Sequence, residues 1–147
     1  MTPLSISIRK DFNVSLYGFS GVAATEDWSG TGKSLMDHLW HEVRTQKLPN
    51  KGINIWVYDE GKRLFTGVEL TAPPPAGSAL ESRAITLPRY AYYKHIGPYT
   101  EMKSTYEAAR EEFKRVGINA HLPYVEIYGH WTDDQSKLET ELLWSIS

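Results

Sequence analysis

The chain has 147 residues, which fits one domain or a fused pair of small repeats, and 41% of them are hydrophobic, enough for a packed core. Its net charge of −2 argues against direct binding to nucleic acid or to an anionic membrane, and the absence of cysteine excludes disulfides and thiolate metal sites. We find no signal peptide and no run long enough to span a membrane, so we expect a cytoplasmic protein. We also expect no metal or other cofactor.

The first half of the chain predicts a strand, a helix and a hairpin, in that order. Alternating apolar and polar residues predict one bent strand, or two short ones, over Ile6–Ala23. An apolar stripe at helical spacing predicts an amphipathic helix over Ser34–Lys47. Two further alternating runs, Ile53–Tyr58 and Arg63–Thr71, flank a Gly-containing turn and therefore predict the hairpin.

Between the first strand and the helix we predict a loop, Glu26–Thr31, that leads into a glycine-rich run. The run Gly30–Ser34 resembles the end of a phosphate-binding loop. That motif requires a glycine at the position of Asp27, and the Asp27 carboxylate would repel a phosphate. We therefore interpret the run as an ordinary first turn of the helix, capped by Thr31 or Ser34.

The helix also carries His38, His41 and Glu42 on one flank. A metal ion requires three or more convergent ligands, and no other histidine cluster lies nearby in the sequence. We therefore interpret this flank as a solvated face and predict no metal site.

In the second half, the stretch Tyr90–Met102 turns a strand into a helix. The strand is predicted over Ser82–Ile96, with an interruption near Pro88. Gly97-Pro98 ends it, because proline cannot donate to a ladder. The helix is predicted over Thr100–Val116, with Thr100 as its N-cap.

After this helix, two more strands are predicted over Val125–Tyr128 and Leu138–Ile146. Both halves then have the order strand, helix, strand, strand, which indicates an internal duplication. We predict two pseudo-symmetric repeats, Met1–Ala72 and Ser78–Ser147, joined by a linker at Pro73–Gly77. The predicted fold is α+β: an antiparallel sheet, two main helices and a central ligand groove on the pseudo-two-fold axis.

Two carboxylates lie within strands that are otherwise largely apolar and aromatic. The period of two places Glu126 with Tyr128, and Glu141 with Leu143. If the apolar faces of the two strands pack together, both carboxylates project on the same side. That side is either solvent or a partly enclosed pocket, where a cationic ligand would offset the cost of burying a carboxylate.

These residues resemble the GyrI-like small-molecule-binding domain, the effector-binding domain of AraC- and MerR-type bacterial transcription activators. The resemblance covers nearly the whole chain and is carried by Gly67–Leu70, Tyr90–Tyr99, Val125–Tyr128 and Thr140–Leu143. It implies two strand-helix-strand-strand repeats and a pocket between them, in which acidic residues meet cationic aromatic compounds. Leu143 departs from the pattern, because an aromatic residue is frequent there. The chain has no room for a helix-turn-helix domain, so the resemblance is to a stand-alone member.

We expect five residues to line one ligand pocket: Trp40, Tyr93, Glu126, Tyr128 and Glu141. The first hypothesis is a multidrug-binding, sensor or sequestration protein for small amphipathic, cationic aromatic molecules. The second is a hydrolase of reactive toxins, with Glu126 or Glu141 as general base beside a tyrosine. The third is a gyrase-inhibitor-like module that binds a protein partner, although no gyrase-binding motif is recognised.

Overall fold

The computed structural model describes residues 4–25 and 27–147. Six strands and two α-helices follow one another in the order β, α, β, β, repeated once. Their bounds are β1 Ser7–Val22, α1 Trp28–Thr45, β2 Ile55–Asp59, β3 Arg63–Val68, β4 Glu81–Ile96, α2 Met102–Val116, β5 Ala120–Tyr128 and β6 Glu139–Ile146. Short 3-10 turns at Tyr99–Glu101 and Gln135–Lys137 precede α2 and β6.

The strands form a closed antiparallel barrel in the order β1-β3-β2-β5-β6-β4. The strands β1, β2 and β3 of the first half correspond to β4, β5 and β6 of the second half. The pairing of β1 with β3 is thus equivalent to that of β4 with β6, and the pairing of β2 with β3 to that of β5 with β6. The β1–β4 and β2–β5 pairings are each equivalent to themselves. The strand pairing thus has two-fold pseudo-symmetry, and the predicted antiparallel α+β fold is confirmed.

The core lies inside the barrel and receives side chains from all six strands. Its buried members are Leu16, Ile55, Val57, Phe65, Ile85, Leu87, Tyr90, Val125 and Leu143. The helices cover two outer faces of the same barrel. Helix α1 packs on β1 and β3, and α2 packs on β4 and β6. The outer faces of β2 and β5 consequently lie between the two helices.

Strand β4 is continuous, so the predicted interruption near Pro88 is wrong. Pro88 lies opposite Asp11, and the β1–β4 ladder continues in the same register on both sides of that pair. Asp11 adopts a φ of 60°, outside the extended region. A proline without an N–H is tolerated because the ladder is open at this one position. The side chains change face here: Phe12 packs against the barrel core, whereas Ile6 packs in the cluster beneath α2.

The turn from β4 into α2 is held by a buried histidine rather than by the predicted Thr100 cap. No side-chain cap bond is present at the start of the 3-10 turn or of α2. His95 Nδ1 lies 2.9 Å from Thr105 Oγ1, and its Nε2 lies 3.1 Å from the Pro98 carbonyl oxygen. Because that carbonyl can only accept, Nε2 is the donor, and in the neutral ring Nδ1 accepts from the Thr105 hydroxyl.

Helix α1 begins at Trp28, six residues before the predicted start, and Glu26 of the predicted loop lies outside the described residues. Asp27 caps it, because its Oδ1 accepts from the Gly30 N–H at 3.0 Å, so the prediction of Thr31 or Ser34 as cap is wrong. The glycine-rich run lies inside the helix. A Cβ at Gly32 would overlap the Trp56 ring, so this glycine allows α1 to approach β2 closely.

Candidate functional site: a buried carboxylate in an aromatic pocket

A cavity of about 870 Å³ lies beside the outer faces of β2 and β5, in the space between α1 and α2. Its floor includes Glu126, and most of its wall is aromatic or aliphatic. The aromatic wall residues are Trp28, Tyr58, Tyr106, Phe113, Tyr124 and Trp144. Charged and polar side chains from α2 and from the β2–β3 turn complete the lining. Such a cavity has the size and composition of a small-molecule site.

Glu126 reaches this cavity because of the alternation along β5. Val125 and Ile127 point into the barrel core, so Glu126 projects from the outer face. Its cross-strand neighbours are Trp56 on β2 and Leu142 on β6. These large side chains and the overlying α2 leave Glu126 only 3% exposed.

Three tyrosine hydroxyls donate hydrogen bonds to the Glu126 carboxylate, each from a different element. Tyr58 of β2 and Tyr128 of β5 both donate to Oε1, each at 2.6 Å. Tyr106 of α2 donates to Oε2 at 2.5 Å. A carboxylate accepts about four such bonds, so most of its acceptor capacity is used.

The electrostatics of this cluster follow from burial. Loss of hydration raises the pKa of Glu126, while the three phenol hydrogen bonds act in the opposite direction. Burial and the adjacent Glu126 raise the pKa of Tyr58, Tyr106 and Tyr128, so all three phenols stay protonated and act as donors. The phenols donate hydrogen bonds to the carboxylate but do not balance its negative charge. Among the described residues, no lysine, arginine or histidine forms an ion pair with Glu126.

The aromatic rings of the wall contact one another edge to face. Trp28 lies 5.3 Å from Tyr58, measured between ring centroids, with an interplanar angle of 66°. Trp144 makes similar contacts with Tyr106 at 5.7 Å and with Phe113 at 5.2 Å. Edge-to-face contacts are a favoured arrangement of aromatic rings, so these contacts help to hold the rings of the wall in place.

Glu141 lies on the opposite face of the sheet from Glu126, so the prediction that the two carboxylates project on one side is wrong. In the β5–β6 ladder Glu141 pairs with Ile127, whereas Glu126 pairs with Leu142. The prediction required the apolar faces of both strands to pack together. Instead Val125 enters the barrel core, while Leu142 packs beneath α2.

The other three candidate residues do not line this cavity either. Trp40 packs in the cluster beneath α1, and its Nε1 donates to Asn54 Oδ1 at 2.7 Å. Tyr93 packs beneath α2. Tyr128 is joined to the pocket through its bond to Glu126. A role for Trp40, Tyr93 and Glu141 in ligand binding remains a prediction.

Sequence reasoning missed three residues that shape the site. Tyr58 carried a signal, because the duplication makes Ile55–Tyr58 of the first half equivalent to Val125–Tyr128 of the second half. Tyr106 lies at helical spacing with Met102, Ala109 and Phe113, a pattern typical of a residue that packs in the core. Trp28 lay in the predicted loop, where no periodic pattern identified it.

The remaining histidines do not form a metal centre within the described residues, where no cluster of three or more ligating side chains occurs. His38 instead stacks on Phe19, with ring centroids 3.9 Å apart and an interplanar angle of 3°. No helix among those residues is both long and apolar enough to cross a membrane.

Solved structures share the fold of this barrel and its two helices. The EcmrR C-terminal domain superimposes with a TM-score of 0.77 at 13% identity, over 97% of each chain. SAV2435 bound to tetraphenylphosphonium gives a TM-score of 0.58 at 14% identity, over 98% of this chain and 94% of that one. A hydrolase from Listeria innocua gives 0.59 at 13% identity, over 99% and 94%.

At these identities the likeness establishes the fold, and the fold implied by the GyrI-like resemblance is confirmed. Sequence comparison finds no matching protein-family model and no matching curated protein.

Proposed function

We propose that the chain binds small amphipathic aromatic cations in the pocket above Glu126, as a sensor or sequestration protein. The observation that carries this proposal is the surroundings of Glu126: a carboxylate that is 3% exposed, bonded only to neutral phenols and facing an aromatic cavity. SAV2435, which shares the fold, binds tetraphenylphosphonium, a lipophilic aromatic cation.

Two energy terms favour such a ligand. Apolar rings that enter the cavity leave water and gain roughly 25 cal/mol for each Å² buried. A cation about 5 Å from the carboxylate gains about 3 kcal/mol at an effective dielectric constant of about 20. Rings of Trp28 and Tyr58 add cation–π attraction. The sum is compatible with micromolar affinity, which corresponds to about −8 kcal/mol.

The test compares two ligands of the same shape and opposite charge, tetraphenylphosphonium and tetraphenylborate, titrated calorimetrically into the protein. Both bury the same four phenyl rings, so the apolar term cancels in the comparison. We expect micromolar binding of the phosphonium and at least a hundredfold weaker binding of the borate. Equal affinities would show that the pocket binds by shape alone, and the charge-reading part of the proposal would fall.

Hydrolysis is a second candidate, and the same carboxylate favours it. Glu126 could serve as a general base, with a protonated phenol such as Tyr106 stabilising developing charge on a substrate. A hydrolase from Listeria innocua also shares the fold. The three phenol bonds occupy most of the acceptor capacity of Glu126, however, so little of it is left to take a substrate proton, and binding is the better-supported function. Turnover of a ligand, abolished by Glu126→Gln, would reverse this order.

A further inference from the structure

The lining of the cavity carries charges of both signs. Glu126 lies on the floor, whereas Arg110 and Lys114 line the cavity from the C-terminal half of α2. From this arrangement we infer that the preferred ligand is an aromatic cation that also carries an anionic group. This inference rests on the proposed function and names the ligand class that the site selects.

Helix α2 fixes the distance between the two charges. Tyr106, which bonds Glu126, is followed after four residues by Arg110 and after eight by Lys114. Residues four apart share one face of a helix. At a rise of 1.5 Å per residue, they lie about 6 Å and about 12 Å further along the axis. An anionic group one to two helical turns from the cationic centre would therefore meet the basic side chains.

The basic charge of Arg110 and Lys114 is not cancelled by strong internal ion pairs. Arg110 is exposed and has no ion-pair partner among the described residues. Lys114 lies 3.6 Å from Glu111, but both side chains are 73% exposed, so that pair is screened and weak.

A second acid of the cavity lining is already paired with a basic side chain. Asp59 also lines the cavity, but Arg83 binds it through two hydrogen bonds, of which that from Nη2 to Oδ1 measures 2.6 Å. The part of the cavity that Arg110 and Lys114 line therefore attracts an anion, while Glu126 attracts a cation.

The test uses two phosphonium ligands that differ in one charge: (4-carboxybutyl)triphenylphosphonium and its methyl ester. Both carry the same rings, cation and tether, and only the acid is negative at its far end at neutral pH. We expect the acid to bind the wild-type protein about fivefold more tightly than the ester, as for a partly screened charge pair. At about 1 M salt, where the Debye length is about 3 Å, the ratio should approach one.

Variants locate the effect. The double variant Arg110→Gln/Lys114→Gln should reduce the acid-to-ester affinity ratio to about one. The matched control is Lys33→Gln/Lys103→Gln, which also removes two exposed helix charges but lies outside the cavity lining. The control should retain the wild-type ratio.

The outcomes separate the two proposals. A wild-type ratio of one or less, or an equal loss in the control variant, overturns the present inference. If the ester still binds in the micromolar range and Glu126→Gln weakens it, the proposed function stands without the inference. If neither ligand binds the wild-type protein, both are wrong.

Discussion

Glu126 and Glu141 lie on neighbouring strands, yet the barrel places them in different environments. Glu126 is buried on the outer face, between the helices, and accepts bonds from three tyrosines. Glu141 is half-buried on the other face and accepts one bond, from Tyr92 Oη at 2.6 Å. The guanidinium of Arg9 lies 3.5 Å above the centre of the Tyr92 ring.

The difference shows how surroundings decide what a carboxylate can do. The phenols around Glu126 leave its charge without a counter-ion in a site of low dielectric, where a ligand cation would gain most. Glu141 is half-buried, and the phenol that bonds it lies beneath the Arg9 guanidinium, so a ligand cation would gain less there. The predictions below test this contrast.

The largest effect expected is on cation binding. Glu126→Gln keeps the shape and removes the charge, so we expect tetraphenylphosphonium affinity to fall by about a hundredfold, or about 3 kcal/mol. Glu141→Gln should change it less than about twofold. Calorimetric titration of both variants, with circular dichroism as a check of folding, measures the contrast. Equal losses would return Glu141 to the ligand site that the sequence predicts.

A second contrast concerns stability. Tyr106→Phe removes the donor to Glu126 Oε2 and leaves a buried charged acceptor unpaired, which we expect to cost about 2 kcal/mol of unfolding free energy. Tyr92→Phe removes the one bond to Glu141, whose oxygens water can reach, and should cost less than about 1 kcal/mol. Urea denaturation at pH 8 measures both. Similar losses would mean that the Glu126 cluster is hydrated in solution.

The third prediction is a pH dependence that only Glu126 should produce. Burial raises its pKa above the ordinary value of 4.5, so the carboxylate is neutralised while exposed acids remain charged. Affinity for tetraphenylphosphonium should fall by about tenfold per pH unit below this raised pKa, and should be independent of pH in Glu126→Gln. A midpoint at or below 4.5 in the wild-type protein would contradict the assigned environment.

The raised pKa of Glu126 also determines how the free energy of unfolding changes with pH. Between pH 4.5 and the raised pKa, the folded protein binds more protons at Glu126 than the unfolded chain does. The contribution of Glu126 to the free energy of unfolding therefore increases as the pH falls through this window. Comparison with Glu126→Gln isolates this contribution from that of the other acids.

The smallest effect that we expect is a change in the pKa of Tyr92, which bonds Glu141. Burial, followed by the hydrogen bond to Glu141, raises the pKa of Tyr92 to about 12. Glu141→Gln should move this pKa towards the ordinary value of 10. The ultraviolet titration difference between each protein and its Tyr92→Phe counterpart isolates this one phenol. An unchanged midpoint would mean that burial alone sets the shift.

The sequence by itself determined the order of elements and the character of each strand. Hydrophobic periodicity predicted both helices, all six strands and the duplication, because these depend on neighbours within a few residues. The alternation along β5 also predicted correctly that Glu126 shares a face with Tyr128, and the structure places Val125 and Ile127 on the other face. The helix ends were less well predicted, because they depend on single side-chain contacts. Asp27 caps α1 through its bond to the Gly30 N–H, and His95 holds the turn before α2 through its contact with Thr105.

Only the tertiary structure decided which faces enclose the pocket. The alternation of side chains along a strand shows which of its residues share a face. It does not show which residues of the neighbouring strand lie on that same face of the sheet. The hydrogen-bond register decides that: it pairs Glu126 with Leu142 and so turns Glu141 to the other side. The convergence of Tyr58, Tyr106 and Tyr128 on one carboxylate likewise requires a strand pairing and a helix packing together, over sequence separations that no local pattern records.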